Sequence, residues 1–172
     1  MGVTAYLGAF SRPGPDCLRQ AEEILRSLDC GHLLGRSMER LSGGERRMAY
    51  LARAILQDAD FLLLDEPVSS LDFSRQHLFL SQLRRYINRR QAGCLLTIHA
   101  PELAYAYGDR ILIFHERKLA ADLRRGEPDF DCRLEGALRQ IYGPALRVSF
   151  QDGGLVLGWR GEGDGFSSPD VP

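Results

Sequence analysis

Two carboxylates and a histidine stand where two apolar segments end. Asp65 and Glu66 follow Phe61–Leu64 directly, and His99 follows the run Cys94–Ile98. Ligands of α/β proteins gather at the carboxyl ends of parallel strands, so we expect these three side chains to lie close together. Adjacent carboxylates are costly there unless a positive or protic group uses them, and a histidine can donate to a phosphate oxygen or orient water. The alternatives are a solvated strand end and a histidine that makes only local hydrogen bonds.

A second candidate site is the segment Leu41–Glu45, with the sequence LSGGE. Ser42 and Glu45 have the spacing of a capping box, which predicts that a helix begins here. The N-terminus of that helix would present free N–H groups and the positive end of its dipole, and Gly43 and Gly44 would let a bulky anion approach. We interpret it as a phosphate site; a well-capped helix and nothing more is the alternative. Apolar residues continue at helical spacing at positions 48, 51, 52, 55 and 56.

The elements that must position these residues alternate between helix and strand. Helices are predicted from Pro15 to Leu28, from the LSGGE segment to about Gln57, from Asp72 to about Arg90, from Pro101 onward and from Asp131 to Tyr142. Phe61–Leu64 has no polar alternation, which predicts a central strand covered on both faces. Further strands are predicted at 94–98, 111–114 and 119–123, and at 146–150 and 155–159 around the turn Asp152-Gly153-Gly154. The Gly-, Ser- and Pro-rich residues 161–172 are expected to be disordered.

Composition narrows the class of protein. The net charge of the 172 residues is −1, which offers no electrostatic case for nucleic acid binding. The four cysteines, at positions 17, 30, 94 and 132, form no C-x-x-C pair, so a zinc site or a disulfide framework is not expected. No apolar run approaches the ~18 residues of a membrane span, and we expect no secretory signal.

Taken in their order along the chain, these motifs resemble those of the ATP-binding subunits of ABC transporters. LSGGE looks like their signature motif and FLLLDEP, residues 61–67, like their Walker B strand. Ser69–Asp72 looks like the D-loop and His99 like the switch histidine, although the following Ala100 stands where the group usually has Asp. The segment Tyr6–Pro13 resembles one in the iron-siderophore, haem and cobalamin importers. The resemblance runs from about residue 1 to about residue 150.

The resemblance implies ATP and Mg²⁺ as cofactors. It implies that Asp65 holds Mg²⁺ through water, that Glu66 polarises the attacking water and that His99 assists at the γ-phosphate. It also implies permease subunits and a second ATP-binding subunit as partners, at the cytoplasmic face of the membrane. The residues expected to bind nucleotide or to face that second subunit are Ser42, Gly43, Gly44, Glu45 and Asp72.

The resemblance implies a fold of the P-loop NTPase type. We expect an incomplete ABC ATPase domain, with a mostly parallel sheet flanked by helices. Residues 1–57 would form a small helical subdomain and the signature helix, and residues 58–160 the Walker B, D-loop and switch-histidine core with a C-terminal β-hairpin.

No G-x-x-x-x-G-K-[ST] pattern occurs in the 172 residues, because Lys118 is the only lysine and Arg117 precedes it. A P-loop cradles the phosphates of ATP, so we expect this polypeptide to be inactive alone, as the clipped portion of an ATPase. The favoured function is the ATP-hydrolysing subunit of an importer for iron-siderophore, haem or cobalamin. A non-transport ABC ATPase and a non-catalytic interaction module are the alternatives.

Overall fold

The computed structural model describes residues 14–160 and has two units, divided between His99 and Ala100. The segment Tyr6–Pro13 and the tail 161–172, for which we made expectations above, lie outside the described residues.

The first unit contains three α-helices and two strands among its described residues. They are α1 (Pro15–Ser27), α2 (Gly43–Leu56), β1 (Phe61–Leu64), α3 (Phe73–Arg90) and β2 (Gly93–Leu96), with short 3₁₀ turns at Gly31–Leu33 and Met38–Arg40. Of the predicted apolar positions of α2, Met48, Leu51, Ala52 and Ile55 are buried and Leu56 is partly buried, which confirms the predicted helix. Their burial holds the LSGGE segment at the start of a packed helix.

Strands β1 and β2 pair in parallel, with Leu64 opposite Leu96. The ladder continues by one bond, because the amide of Thr97 donates to the carbonyl of Leu64 at 3.1 Å. Asp65 therefore begins where β1 ends, and Thr97 lies beside it at the end of β2.

The expectation that β1 is covered on both faces is wrong for the described residues. Leu62 is 5% exposed, whereas Phe61 and Leu63 are 56% and 73% exposed. Successive strand residues point to opposite faces, and only the face that carries Leu62 is packed by the described part of the first unit. On the other face the Phe61 ring lies over Gly93, where a Cβ atom would come within 2.3 Å of it.

Between residues 100 and 160, the second unit is built from two helices and two hairpins. They are α4 (Pro101–Tyr107), β3 (Arg110–His115), β4 (Lys118–Arg124), α5 (Phe130–Tyr142), β5 (Leu146–Gln151) and β6 (Gly154–Trp159). One face of each element contributes to a common apolar core, which is formed by Tyr105, Ile111, Leu123, Phe130, Leu134, Leu138, Leu146 and Leu155. The predicted C-terminal hairpin is confirmed, with Phe150 opposite Leu155.

The expectation of a mostly parallel sheet needs correction within residues 14–160. Only β1 and β2 are parallel there, while β3–β4 and β5–β6 are antiparallel pairs. Two residues connect β3 to β4, and two connect β5 to β6. A connection of two residues can join only antiparallel strands, since parallel neighbours need a crossover of a dozen residues or more. Glu116 and Arg117, at φ 48° and 63°, and Asp152 and Gly153, at φ 50° and 74°, have the positive φ values of tight hairpin turns.

None of the helices in the described part of the chain combines the length and the apolar character that crossing a membrane requires.

Candidate functional site

The N-terminus of α2 is closed by the predicted capping box. The amide of Glu45 donates to Ser42 Oγ at 3.3 Å, and the amide of Ser42 donates to Glu45 Oε2 at 2.8 Å. The first bond within the helix runs from the Arg46 amide to the Ser42 carbonyl at 2.9 Å. The amides of Gly43 and Gly44 precede it, so they are available to an external acceptor.

The Glu45 carboxylate is the electrostatic centre of this end of the helix. Hydrogen bonds from the backbone amide and the hydroxyl of Ser42 hold the pKa of Glu45 below its usual value. Arg36 and His32 lower this pKa further. The nearest nitrogens of His32 and Arg36 each lie 3.5 Å from Glu45 Oε1. Glu45 is thus occupied in closing the helix, and the Arg36 guanidinium offsets part of its negative charge.

The two glycines of the LSGGE segment have different surroundings. A Cβ atom at Gly43 would meet nothing within 4 Å. At Gly44 it would lie 2.6 Å from Nη1 and 3.1 Å from Cδ of Arg75, which packs against the helix end. Gly43 is therefore the open position, where a ligand can approach the backbone.

Arg75 connects Gly44 to Asp72, the N-cap of α3. The amide of Arg75 donates to Asp72 Oδ1 at 2.9 Å, and its Nε lies 3.3 Å from Asp72 Oδ2. The helix predicted from Asp72 to about Arg90 is confirmed, with Asp72 as its N-cap. This contact brings the start of α3 next to the start of α2, which the sequence analysis did not foresee.

At the end of β1, the structure brings Glu66 and His99 into direct contact. His99 Nε2 and Glu66 Oε1 are 2.6 Å apart, and the side chains are 78% and 44% exposed. When Nε2 carries a proton it donates to the carboxylate. Asp65 is also exposed beside them, so the expected grouping of the three side chains is present, in a position that solvent or a ligand can reach.

Thr97 joins the two carboxylate residues and was missed as a site residue. Its hydroxyl donates to Asp65 Oδ1 at 2.8 Å, and the amide of Glu66 donates to the same hydroxyl at 2.7 Å. The available signal was a hydroxyl residue inside the otherwise apolar run Cys94–Ile98, two positions before His99.

Glu66 has an unusual backbone conformation, with φ at 43°. Non-glycine residues rarely occupy this region, and doing so costs about 1 kcal/mol or more. Its carbonyl accepts from Arg47 Nη1 at 3.1 Å and from Ser69 Oγ at 3.2 Å. Arg47 belongs to α2, so this bond ties the helix that begins at LSGGE to the loop that carries Glu66.

The donor set at the end of β1 fits Mg²⁺. The ion takes oxygen ligands and usually binds through one or two carboxylates together with water and substrate phosphates. Asp65 and Glu66 supply exposed carboxylate oxygens. No group of three or more His, Cys, Asp or Glu residues arranged to hold a metal occurs within residues 14–160. Any Mg²⁺ held here would need water or phosphate to complete its coordination.

Comparisons with known proteins agree with this geometry. Residues 9–69 match the family described as ABC transporter. The probable iron chelatin transport ATP-binding protein of Helicobacter pylori is 34% identical over 157 residues, which are 91% of this chain and 60% of that protein. The hemin import ATP-binding protein HmuV of Hahella chejuensis is 35% identical over 142 residues, which are 78% of this chain and 54% of that protein.

A solved structure shares the fold. It is an inward-facing metal-chelate type ABC transporter, with a TM-score of 0.73 and 22% identity over 93% of this chain and 62% of that one. The chain thus spans about 60% of the length of the first of these relatives. Together with the LSGGE helix cap and the carboxylate pair at the end of β1, these matches identify the chain as a member of the family of ABC transporter ATP-binding domains.

Proposed function

We propose that this chain is the signature and Walker B portion of the ATP-binding subunit of an importer for a metal chelate such as iron-siderophore, haem or cobalamin. The observation that carries the proposal is the 2.6 Å contact between His99 and Glu66, beside Asp65 at the end of β1. The names of the two relatives, which refer to iron chelatin and to hemin, support the class of cargo.

The residues at the end of β1 have separate tasks in this proposal. Asp65 would hold Mg²⁺ through water, and that ion would neutralise charge on the phosphates of ATP. The Glu66 carboxylate orients and polarises a water molecule, while His99 Nε2 holds a proton next to that carboxylate. Both side chains are partly exposed, so a nucleotide can reach them.

The start of α2 has the complementary task. The free amides of Gly43 and Gly44 can donate to a phosphate at the positive end of the helix dipole. The Ser42 hydroxyl has one proton and can turn it from Glu45 toward the same phosphate. Glu45 keeps this end ordered through the capping box, and Asp72 orders the start of α3 beside it. In the proposed dimer these residues face a nucleotide held by the second ATP-binding subunit.

The 172 residues contain no P-loop pattern. We therefore propose that this polypeptide alone neither binds ATP tightly nor hydrolyses it, and that its LSGGE segment acts on ATP held by a partner with a P-loop. The assembly would work at the cytoplasmic face of a membrane together with permease subunits.

A complementation assay tests this function. The partner is a full-length ATP-binding subunit of a metal-chelate importer that has its P-loop but carries an inactivating mutation in its signature motif. Its homodimer is therefore inactive. Adding this chain should restore phosphate release from ATP and Mg²⁺, because it supplies the missing signature. The chain without the partner should release no phosphate and should show no micromolar affinity for ATP.

Two glycine variants sharpen the result. Gly43→Glu places a carboxylate where the phosphate must approach and should abolish the restored activity. Gly136→Glu makes the same change at an exposed glycine of α5, where a Cβ would also meet nothing within 4 Å, and should leave the activity intact. Failure of the chain to restore activity, or equal activity of the two variants, would contradict the proposal.

A further inference from the structure

The hydroxyl of Thr97 is placed between the two residues on which the proposed chemistry depends. It donates its one proton to Asp65 Oδ1 at 2.8 Å and accepts the amide proton of Glu66 at 2.7 Å. A hydroxyl has one donor and two acceptor positions, so both bonds form without conflict. No other hydroxyl in the described part of the chain makes this bridge.

The bridge acts on the strained residue of the site. Glu66 is held at φ 43°, and its peptide groups are restrained on both sides: Thr97 accepts from its amide, while Arg47 and Ser69 donate to its carbonyl. This backbone conformation determines where the Glu66 side chain points, and it points to His99 Nε2. Removal of the amide partner would allow Glu66 to relax toward a common conformation and away from His99.

The same hydroxyl restrains Asp65. A carboxylate that accepts one hydrogen bond through Oδ1 has a preferred rotamer, and its other oxygen is then presented in a defined direction. Residues that orient a metal-binding carboxylate in this way change metal affinity without touching the ion.

We propose that Thr97 is a positioning residue, whose hydroxyl sets the direction of the Asp65 carboxylate and the backbone conformation of Glu66. The inference rests on the proposed function, since it assigns Thr97 to the same site. Thr97 does not touch the reacting atoms; it acts through Asp65 and Glu66.

The test uses nuclear magnetic resonance on the 172-residue chain with three variants. Thr97→Val removes the hydroxyl and keeps the branched shape, Thr97→Ser keeps the hydroxyl, and Ser81→Ala is the control. Ser81 donates only to the carbonyl of Leu78 within α3, at 2.8 Å, so its loss removes a hydroxyl away from the site.

The first readout is the Glu66 amide. In Thr97→Val we expect it to exchange about fivefold faster with solvent, as loss of one hydrogen bond predicts. The strong intraresidue contact between the Glu66 amide and Hα protons, which is typical of positive φ, should weaken. Thr97→Ser and Ser81→Ala should match the wild type in both respects.

The second readout is line broadening of the Asp65 and Glu66 signals by Mn²⁺, used as the probe for Mg²⁺. We expect the apparent affinity for Mn²⁺ to be about tenfold weaker in Thr97→Val. This is the lower end of the loss that follows when a residue hydrogen-bonded to a metal ligand is removed. Thr97→Ser should recover the affinity of the wild type. A general packing defect would not be repaired by restoring the hydroxyl alone.

An unchanged Glu66 amide in Thr97→Val, or a serine variant that behaves like the valine variant, would overturn the inference. If Thr97→Val does not fold, the exchange rate of the Glu66 amide in the wild type is the test. Exchange as fast as that of an unprotected surface amide would also overturn the inference. Absence of Mn²⁺ broadening in the wild type would count against the proposed function, while the Glu66 readout still decides the role of Thr97.

Discussion

Two adjacent glycines in the same helix turn should respond in opposite ways to the same substitution. Alanine at Gly43 would project a methyl group into open space, whereas alanine at Gly44 would place it 2.6 Å from Nη1 of Arg75. Contacts below ~3 Å are not tolerated by carbon, so the Arg75 side chain must move. The pair of variants therefore measures whether Arg75 packs on the start of α2.

The magnitude follows from opposing effects. Replacing glycine by alanine in a helix stabilises by up to about 1 kcal/mol, and about half of this is reasonable in the first turn, so Gly43→Ala should raise the free energy of unfolding by about 0.5 kcal/mol. Gly44→Ala gains the same amount but disturbs the exposed Arg75–Asp72 contact, at a cost of about 0.5 kcal/mol, and forces a new Arg75 rotamer, at a cost of about 0.5 kcal/mol. The two variants should differ by about 1 kcal/mol.

The assay is urea unfolding followed by two signals. Far-ultraviolet circular dichroism follows all helices, while the fluorescence of Trp159, the only tryptophan in the chain, follows the second unit. Since the free energy of unfolding falls by about 1–3 kcal/mol per M of urea, a difference of about 1 kcal/mol shifts the urea midpoint by about 0.3–1 M. Because both glycines lie in the first unit, the difference should appear in the dichroism.

A double-mutant cycle with Arg75→Ala decides the cause. In that background Gly44→Ala should become stabilising, like Gly43→Ala, because the obstructing side chain is gone. The Arg75 amide is retained, so the cap at Asp72 remains. If Gly44→Ala has the same effect with and without the Arg75 side chain, the packing argument is refuted.

Three further results are expected from the local geometry. Ser42→Ala should lower the free energy of unfolding by about 1 kcal/mol, because the Glu45 amide loses its hydrogen-bond acceptor. Ser42→Asn should retain most of the wild-type stability, and urea unfolding of the two variants measures the difference. The pKa of Glu45 is lowered in the folded state, so the stability that this carboxylate contributes is present above the pKa of the unfolded carboxyl and is lost as the pH falls through the folded pKa. Glu45→Gln should therefore flatten the acid side of a curve of unfolding free energy against pH. An unchanged acid side would contradict this. Burial raises the pKa of Cys94 to about 11, so iodoacetamide near pH 8 should label it at least about tenfold more slowly than the exposed Cys132, as mass spectrometry of the labelled peptides can show.

Local features were predictable because the groups involved are near neighbours in the chain. The capping box joins residues three apart, and the C-terminal hairpin turn was recognised from Asp152-Gly153-Gly154. The helix start at Asp72 was predictable for the same reason, since its carboxylate accepts from the amide of Arg75, three residues on. The exposure of Phe61 and Leu63 was not, since an apolar run predicts burial without saying which elements cover each face.

The sequence by itself determined the family, the helix that LSGGE begins, and the presence of Asp65, Glu66 and His99 at strand ends. These depend on residue order and on short-range hydrogen bonding. Tertiary structure alone decided that Thr97 bridges Asp65 and Glu66 and that Arg47 holds the Glu66 carbonyl. Such contacts join residues 19 to 32 positions apart, and they arise only once the register of β1 and β2 and the packing of α2 have brought those side chains within hydrogen-bond distance.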